Sequence, residues 1–171
     1  MNLQIIFEIF KLNFFPSGCS PGWTYFPHTS RCYRHFPEAK SWENARGFCM
    51  TSAPSNGDLA SIPDKTTNDF LTHLSGVISW IGATDAASEG NWQWSDGTPW
   101  GYESWAAGEP NNGDGRGQSY GVINYFSTGL WDDDDSNRPF FCQYLSFFIW
   151  TGDSSLVEQQ NWAPGFPIFG L

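Results

Sequence analysis

The sequence predicts a loop-rich, disulfide-stapled domain of short strands and two helices, not a helix bundle. Three observations carry this. Aromatic residues make up 18% of the 171 residues, ten of them Trp, and there are eighteen glycines. Lys and Arg number only eight, which leaves little material for long amphipathic helices. Four cysteines stand at positions 19, 32, 49 and 142, and none forms the CxxC of a zinc ribbon or a thioredoxin-like site. The length suits one domain with tails.

Trp23 to Phe26 and Cys32 to Phe36 read as two strands around the turn Pro27-His28-Thr29-Ser30-Arg31. Ser41 has the chemistry of an N-cap, and Trp42, Ala45, Phe48 and Cys49 follow on one helical stripe. Gly57 and Pro63 bracket a short buried strand, Leu59-Ala60-Ser61-Ile62. Asp64 caps a second helix carrying Phe70, Leu71 and Leu74. Val77 to Gly82 is strand-like, and Ala83 to Asn112 is turn chemistry with Trp92, Trp94, Trp100 and Trp105 embedded in it. So long a loop in a compact domain points to function or to metal stabilisation. Val122 to Tyr125 is a strand. Leu130-Trp131 begins another, which the run Asp132 to Asp135 is expected to interrupt, and Arg138 to Tyr144 closes the domain. No internal repeat is present.

Four cysteines allow three pairings. The simplest joins Cys19 to Cys32 and Cys49 to Cys142, the long bridge tying an early helix to the last strand. Such bridges imply an oxidising compartment. Eighteen acids against eight bases give a net charge of -10, which excludes nucleic acid, heparin and anionic membranes as main partners and suits cations. No apolar run reaches the ~18 residues of a membrane span. Residues 1–18 read as a signal peptide or a disordered lead: Glu8 and Lys11 lie inside the apolar stretch, and Pro16-Ser17-Gly18 precedes Cys19. Residues 19–145 form the domain, and 146–171 an irregular aromatic-rich tail.

The ordered set Cys19-x-x-Gly22-Trp23, Cys32-Tyr33, Trp42-x-x-Ala45-x-x-Phe48-Cys49, Leu59-Ala60-Ser61-Ile62 and Trp80-Ile81-Gly82 resembles the C-type lectin domain family. So do Trp94-Ser95-Asp96-Gly97, Trp105-x-x-Gly108-Glu109-Pro110-Asn111, Trp131-Asp132-Asp133 and Arg138-Pro139-Phe140-Phe141-Cys142. The resemblance covers residues 19 to about 144. It implies an α+β fold with two helices, two small antiparallel sheets and a long calcium-binding loop, and it selects the pairing Cys19–Cys32 with Cys49–Cys142. The family's second disulfide, across the loop, would fall at Tyr120 and Ser136. Both cysteines are replaced, which shifts the ordering of the loop to bound calcium.

Ca2+ takes roughly six to eight oxygens. The resemblance selects Glu109, Asn111, Gln118, Asp132 and Asp133 as ligands. Gln118 stands where the family usually has Glu, and Asp132 where it usually has Asn, so the charge of the site is kept. Five residues leave two coordination positions open, and two vicinal sugar hydroxyls can fill them. Glu109-Pro110-Asn111 resembles the mannose-type signature, with a cis central proline, and Glu109, Asn111, Gln118 and Asp132 would also bond the sugar. Asp132 accepts hydrogen bonds where the family's amide donates. Asp85 and Glu89 match two acids of an auxiliary calcium site whose other positions are Asn112 and Ser119 here, so that site is expected to be broken.

The expected function is calcium-dependent carbohydrate binding in secreted glycan recognition, as in innate immunity, with homo-oligomers as one route to avidity. The alternative is a domain of this fold that binds a protein, mineral or ice surface without sugar. An enzyme is excluded by the lack of a nucleophile elbow, HExxH or P-loop, and because calcium-bound carboxylates are poor general acids. Trp80, Trp92, Trp94, Trp105 and Trp131 are expected to be structural pins. Trp100 or Tyr102 are candidates for stacking on sugar, and His28, His35 and His73 are expected on the surface.

Overall fold

The computed structural model describes residues 18–146 except Ser55, Arg116, Ser127 and the side chain of Asp114. Apart from Gly18 and Ser146 at their inner edges, the leader expected over 1–18 and the tail expected over 146–171 lie outside the described residues.

The chain opens with a hairpin of β1 (Thr24–Phe26) and β2 (Arg31–Lys40). Helix α1 (Trp42–Ser52) starts where the Ser41 hydroxyl accepts the Asn44 amide, and buries Trp42, Ala45 and Cys49. A Cβ on Gly57 would strike the Cys49 carbonyl and the Ala53 side chain, so the turn after α1 needs a residue without one. β3 (Asp58–Leu59) follows, and then α2 (Lys65–Leu74), whose first turn is capped by Asp64 accepting from the Thr67 amide at 2.8 Å. The remaining strands are β4 (Ser79–Thr84), β5 (Gln93–Trp94), β6 (Tyr120–Tyr125), β7 (Leu130–Asp134) and β8 (Arg138–Leu145), with a single turn α3 (Asn112–Gly115) before β6.

This is the expected α+β arrangement, with a refinement. The antiparallel sets β1–β2–β8–β3 and β5–β4–β6–β7 are joined where β4 meets β8 in parallel at Trp80 and Phe140, so hydrogen bonds link all eight strands in one mixed sheet. β8 lies between β2 and β4 and is buried from Phe140 to Tyr144. Cys142 on β8 bridges to Cys49 on α1, and Cys19 bridges to Cys32 at the start of β2.

Several sequence expectations need correction. The aspartate run does not interrupt β7, because Asp132, Asp133 and Asp134 pair with Val122, Gly121 and Tyr120 of β6. The Leu59–Ile62 stretch is buried but pairs as a strand only to Leu59. Beyond it the Ala60 amide bonds the Phe141 carbonyl, while the Ala60 carbonyl accepts from Gly82. His35 is half-buried rather than on the surface, sharing a 3.0 Å hydrogen bond with the Ser79 hydroxyl and lying against Phe141. Burial holds its pKa below the usual imidazole value.

The core has two main parts. One packs α1 against β8 through Trp42, Leu59, Trp80 and Phe140. The other lies under the long loop, where Trp92, Trp94 and Trp131 are buried and Trp100, Tyr102 and Trp105 pack on them. Trp100 and Tyr102 are therefore half-buried pins against Trp131, with ring centroids 6.0 and 5.6 Å away, and not free platforms.

Loop closure makes the two bridges unequal. The Cys49–Cys142 bridge spans 93 residues and the Cys19–Cys32 bridge 13. Replacing Cys49 and Cys142 together by alanine is expected to cost about 4–5 kcal/mol, and Cys19 and Cys32 together about 3 kcal/mol, in urea unfolding. Equal losses would show that packing, not chain entropy, sets the difference.

Candidate metal centre

The long loop reaches β7 through a short parallel bridge. Trp131 donates its amide to the Ser104 carbonyl at 2.7 Å and accepts the Ala106 amide at 2.8 Å. The Glu109 amide closes the next turn on Ala106, and Glu109-Pro110 is cis. This sequence of contacts sets Glu109 opposite the two residues that follow Trp131. Carboxylate oxygens of Glu109, Asp132 and Asp133 all lie within 4.8 Å of one another, the only such group of three metal-ligating side chains among the described residues.

The three acids are held differently. Asp133 is buried, and its two oxygens accept the backbone amides of Asn111 at 2.9 Å and Asn112 at 2.6 Å. Asp132 and Glu109 bond each other. Burial first, then the charge of Glu109 and this bond, push the Asp132 pKa up to about 7. Oε2 of Glu109 is buried without a partner. A buried acceptor left unpaired, beside a carboxyl whose ionisation is opposed by burial and by a neighbouring acid, is the condition a cation relieves. The donor set is all oxygen and suits a hard cation such as Ca2+.

Asn111 is exposed and tied to the cluster by its backbone. Gln118 is half-buried, its backbone amide donates to Oδ1 of Asn112 at 2.6 Å, and its side chain lies so close under Gly113 that a Cβ there would meet Oε1 at 2.8 Å. Sequence reasoning had Asn112 only as a broken auxiliary position. It links Gln118 to Asp133, and its positive φ of 56° fits an Asn in a turn. Asp85 is buried, with Oδ2 on the Gly90 amide and Oδ1 unpartnered, whereas Glu89 is exposed. The two do not enter a three-acid cluster among the described residues.

Asp134, in the same acidic run, has another task. Its carboxylate accepts the amides of Asp135 and Ser136 and the guanidinium of Arg138. Burial works to raise its pKa, but these partners outweigh it and hold it low. Tyr120 stacks on Trp42 at 4.6 Å and donates its hydroxyl to Glu43. Side-chain contacts thus fasten both positions, Tyr120 and Ser136, where the family's loop disulfide would lie. The sequence expectation had assigned that ordering to calcium.

The Lectin C-type domain family model matches residues 38–144. The chain belongs to the C-type lectin domain family. A lectin of Pleurodeles waltl is 35% identical over 136 residues, 75% of this chain and 77% of its own. Among solved structures, the carbohydrate-recognition domain of cow CD23, determined in the presence of a GlcNAc2Man3 oligosaccharide, superposes with a TM-score of 0.67 at 32% identity, covering 76% of this chain and 98% of that one. A calcium-independent type II antifreeze protein superposes with a TM-score of 0.68 at 27% identity, covering 75% and 95%. C-type lectin domains are in general binding modules without catalytic activity, and typically bind Ca2+, though some do not.

The Asp132 shift has a sign that can be tested in this C-type lectin domain. Its folded pKa, about 7, lies above the ordinary carboxylate value of 3.8. Without metal, stability is therefore full below the unfolded value, falls as pH rises toward about 7, and is level above it. In chelator, Asp132→Asn is expected to melt a few degrees above wild type at pH 8, with the gap closing as pH falls toward about 4. A gap independent of pH would remove Asp132 as the strained group.

Proposed function

We propose that this chain binds carbohydrate in a calcium-dependent manner, with mannose-type sugars preferred, at the centre formed by Glu109, Asn111, Gln118, Asp132 and Asp133. The observation that carries the reading is the three-carboxylate cluster with its unpartnered Glu109 oxygen. When bound there, Ca2+ supplies open coordination positions to two vicinal hydroxyls of one sugar. Glu109 and Asp132 accept hydrogen bonds from those hydroxyls, while the amides of Asn111 and Gln118 donate. Asp133 is oriented beforehand by two backbone amides, so its carboxylate loses little freedom on binding. The order Glu109-Pro110-Asn111, with carboxylate before amide, supports the mannose type. Asp85 and Glu89 are not proposed as a working second site, since no third acid joins them among the described residues.

Two disulfides support a secreted protein, and no helix among the described residues is long and apolar enough to cross a membrane. The likeness to a calcium-independent antifreeze protein favours one competing reading, a surface-binding domain that uses no sugar.

Mannose–agarose in calcium separates the readings. Retention is expected, with elution by chelator and by free mannose ahead of galactose. Asn111→Asp replaces the donating amide with an acceptor and should abolish retention on mannose. Elution by galactose first would mean that Gln118 and Asp132 reset the preference. Failure on both sugars, with calcium still raising the Tm, would move the assignment to a ligand other than sugar.

Protons and calcium compete for Asp132. The rise in Tm that calcium produces should therefore shrink as pH falls below about 7, as followed by differential scanning fluorimetry at fixed calcium.

A further inference from the structure

The hairpin between β6 and β7 exposes aromatic surface that the fold does not use. Phe126 is 74% exposed. Its backbone is left-handed, with φ of 58°, which is an outlier for a bulky residue. Both features work against stability, and together they turn an observed strain into a question of function. The hairpin is held at both ends. Nδ2 of Asn124 donates to the carbonyls of Ser75 and Val77, and Nδ2 of Asn68 donates to the Gly129 carbonyl at 2.9 Å. Within the turn, the Thr128 hydroxyl donates to the Tyr125 carbonyl. The Phe126 ring therefore projects from a fixed base, with its centroid 4.3 Å from that of Tyr125 and the planes tilted by 43°.

The sheet places this pair beside the carboxylate cluster. Tyr125 lies opposite Leu130, and Asp132 is two residues on from Leu130 along the same face of β7. Such diagonal neighbours stand about 7–8 Å apart, within reach of an aromatic side chain. The charge of Asp132, and more weakly that of Glu109, reaches the Tyr125 hydroxyl and holds its pKa above the usual tyrosine value.

We propose that Tyr125 and Phe126 form a second subsite, where their rings receive the C–H face of the next pyranose of a glycan whose first sugar is held at Glu109, Asp132 and Asp133. The inference rests on the carbohydrate reading above and adds to it a preference for oligosaccharide over monosaccharide. Size decides for a sugar ring over a protein. Two aromatic side chains offer at most about 150–250 Å² each, whereas a stable protein partner covers roughly 800 Å². Charge decides against an anionic membrane, since the chain carries -10.

The test compares methyl α-mannoside with a panel of methyl dimannosides by calorimetry in calcium, on wild type, Phe126→Gly and Phe126→Trp. Glycine suits the left-handed backbone, so Phe126→Gly removes the ring without threatening the fold, and its Tm should not fall. Wild type is expected to bind at least one dimannoside several-fold more tightly than the monosaccharide. Phe126→Gly should lose roughly three- to tenfold on that dimannoside alone, and Phe126→Trp should keep the preference. Equal affinities in wild type, or a preference that survives Phe126→Gly, would overturn the subsite and leave the sugar site standing. Wild type that binds no sugar at all would overturn the sugar site and the subsite with it.

Discussion

Trp131 is the residue on which the geometry of this domain depends. It is fully buried, and every bonding group it has is used across the chain. Its indole donates to Oδ1 of Asn68 on α2 at 2.7 Å. Its backbone amide and carbonyl hold Ser104 and Ala106 of the long loop. Trp94, Trp100, Tyr102 and Trp105 meet its ring at 5.6–6.0 Å, all steeply inclined, as edge-to-face aromatic packing prefers. The loop has little regular structure because one side chain and its peptide supply the contacts that strands would otherwise make. Asp132 and Asp133 follow immediately, so whatever fixes Trp131 also fixes two of the three clustered carboxylates.

The acidic run after Trp131 shows how neighbouring aspartates divide between structure and site. Asp134 is satisfied by two amides and a guanidinium, and stays ionised. Asp133 is satisfied by two amides from the loop and so couples β7 to the turn that carries Asn111. Asp132 accepts a backbone hydrogen bond from Asp133, but its side-chain partner is Glu109, another acid. Electrostatic strain thus falls mainly on the Glu109–Asp132 pair, to which the charge of Asp133 adds, while Asp133 and Asp134 are themselves hydrogen-bonded like ordinary buried polar groups. A proton relieves the pair in one way and a cation in another.

Much of this was legible in the sequence. Ser41 and Asp64 announced both helices by cap chemistry, and the cysteine and tryptophan spacing announced the fold family. Glu109, Asp132 and Asp133 were legible through the resemblance of Glu109-Pro110-Asn111 and Trp131-Asp132-Asp133 to the family's motifs. Other features depend on partners distant in sequence. Four aspartates in a row look like a strand breaker until Tyr120 to Val122 are seen to pair with them. His35 looks like a surface residue until Ser79 and Phe141 close over it. Trp100 and Tyr102 looked free because nothing local shows that Trp131 lies beneath them. The loss of two loop cysteines looked like a debt to calcium, because the stacking of Tyr120 on Trp42 spans 78 positions and leaves no local trace.

That last contact changes how the fold and the site are related. If calcium had to replace the missing disulfide, metal binding and loop order would be one property, and any loss of affinity would unfold the loop. Here Tyr120 is held by Trp42 and Glu43, Ser136 by Asp134, and the stem of the long loop by Trp131. None of these partners belongs to the three-carboxylate cluster. The aromatic packing beneath the site supplies contacts of its own to the stem of the loop, separate from those of the three carboxylates.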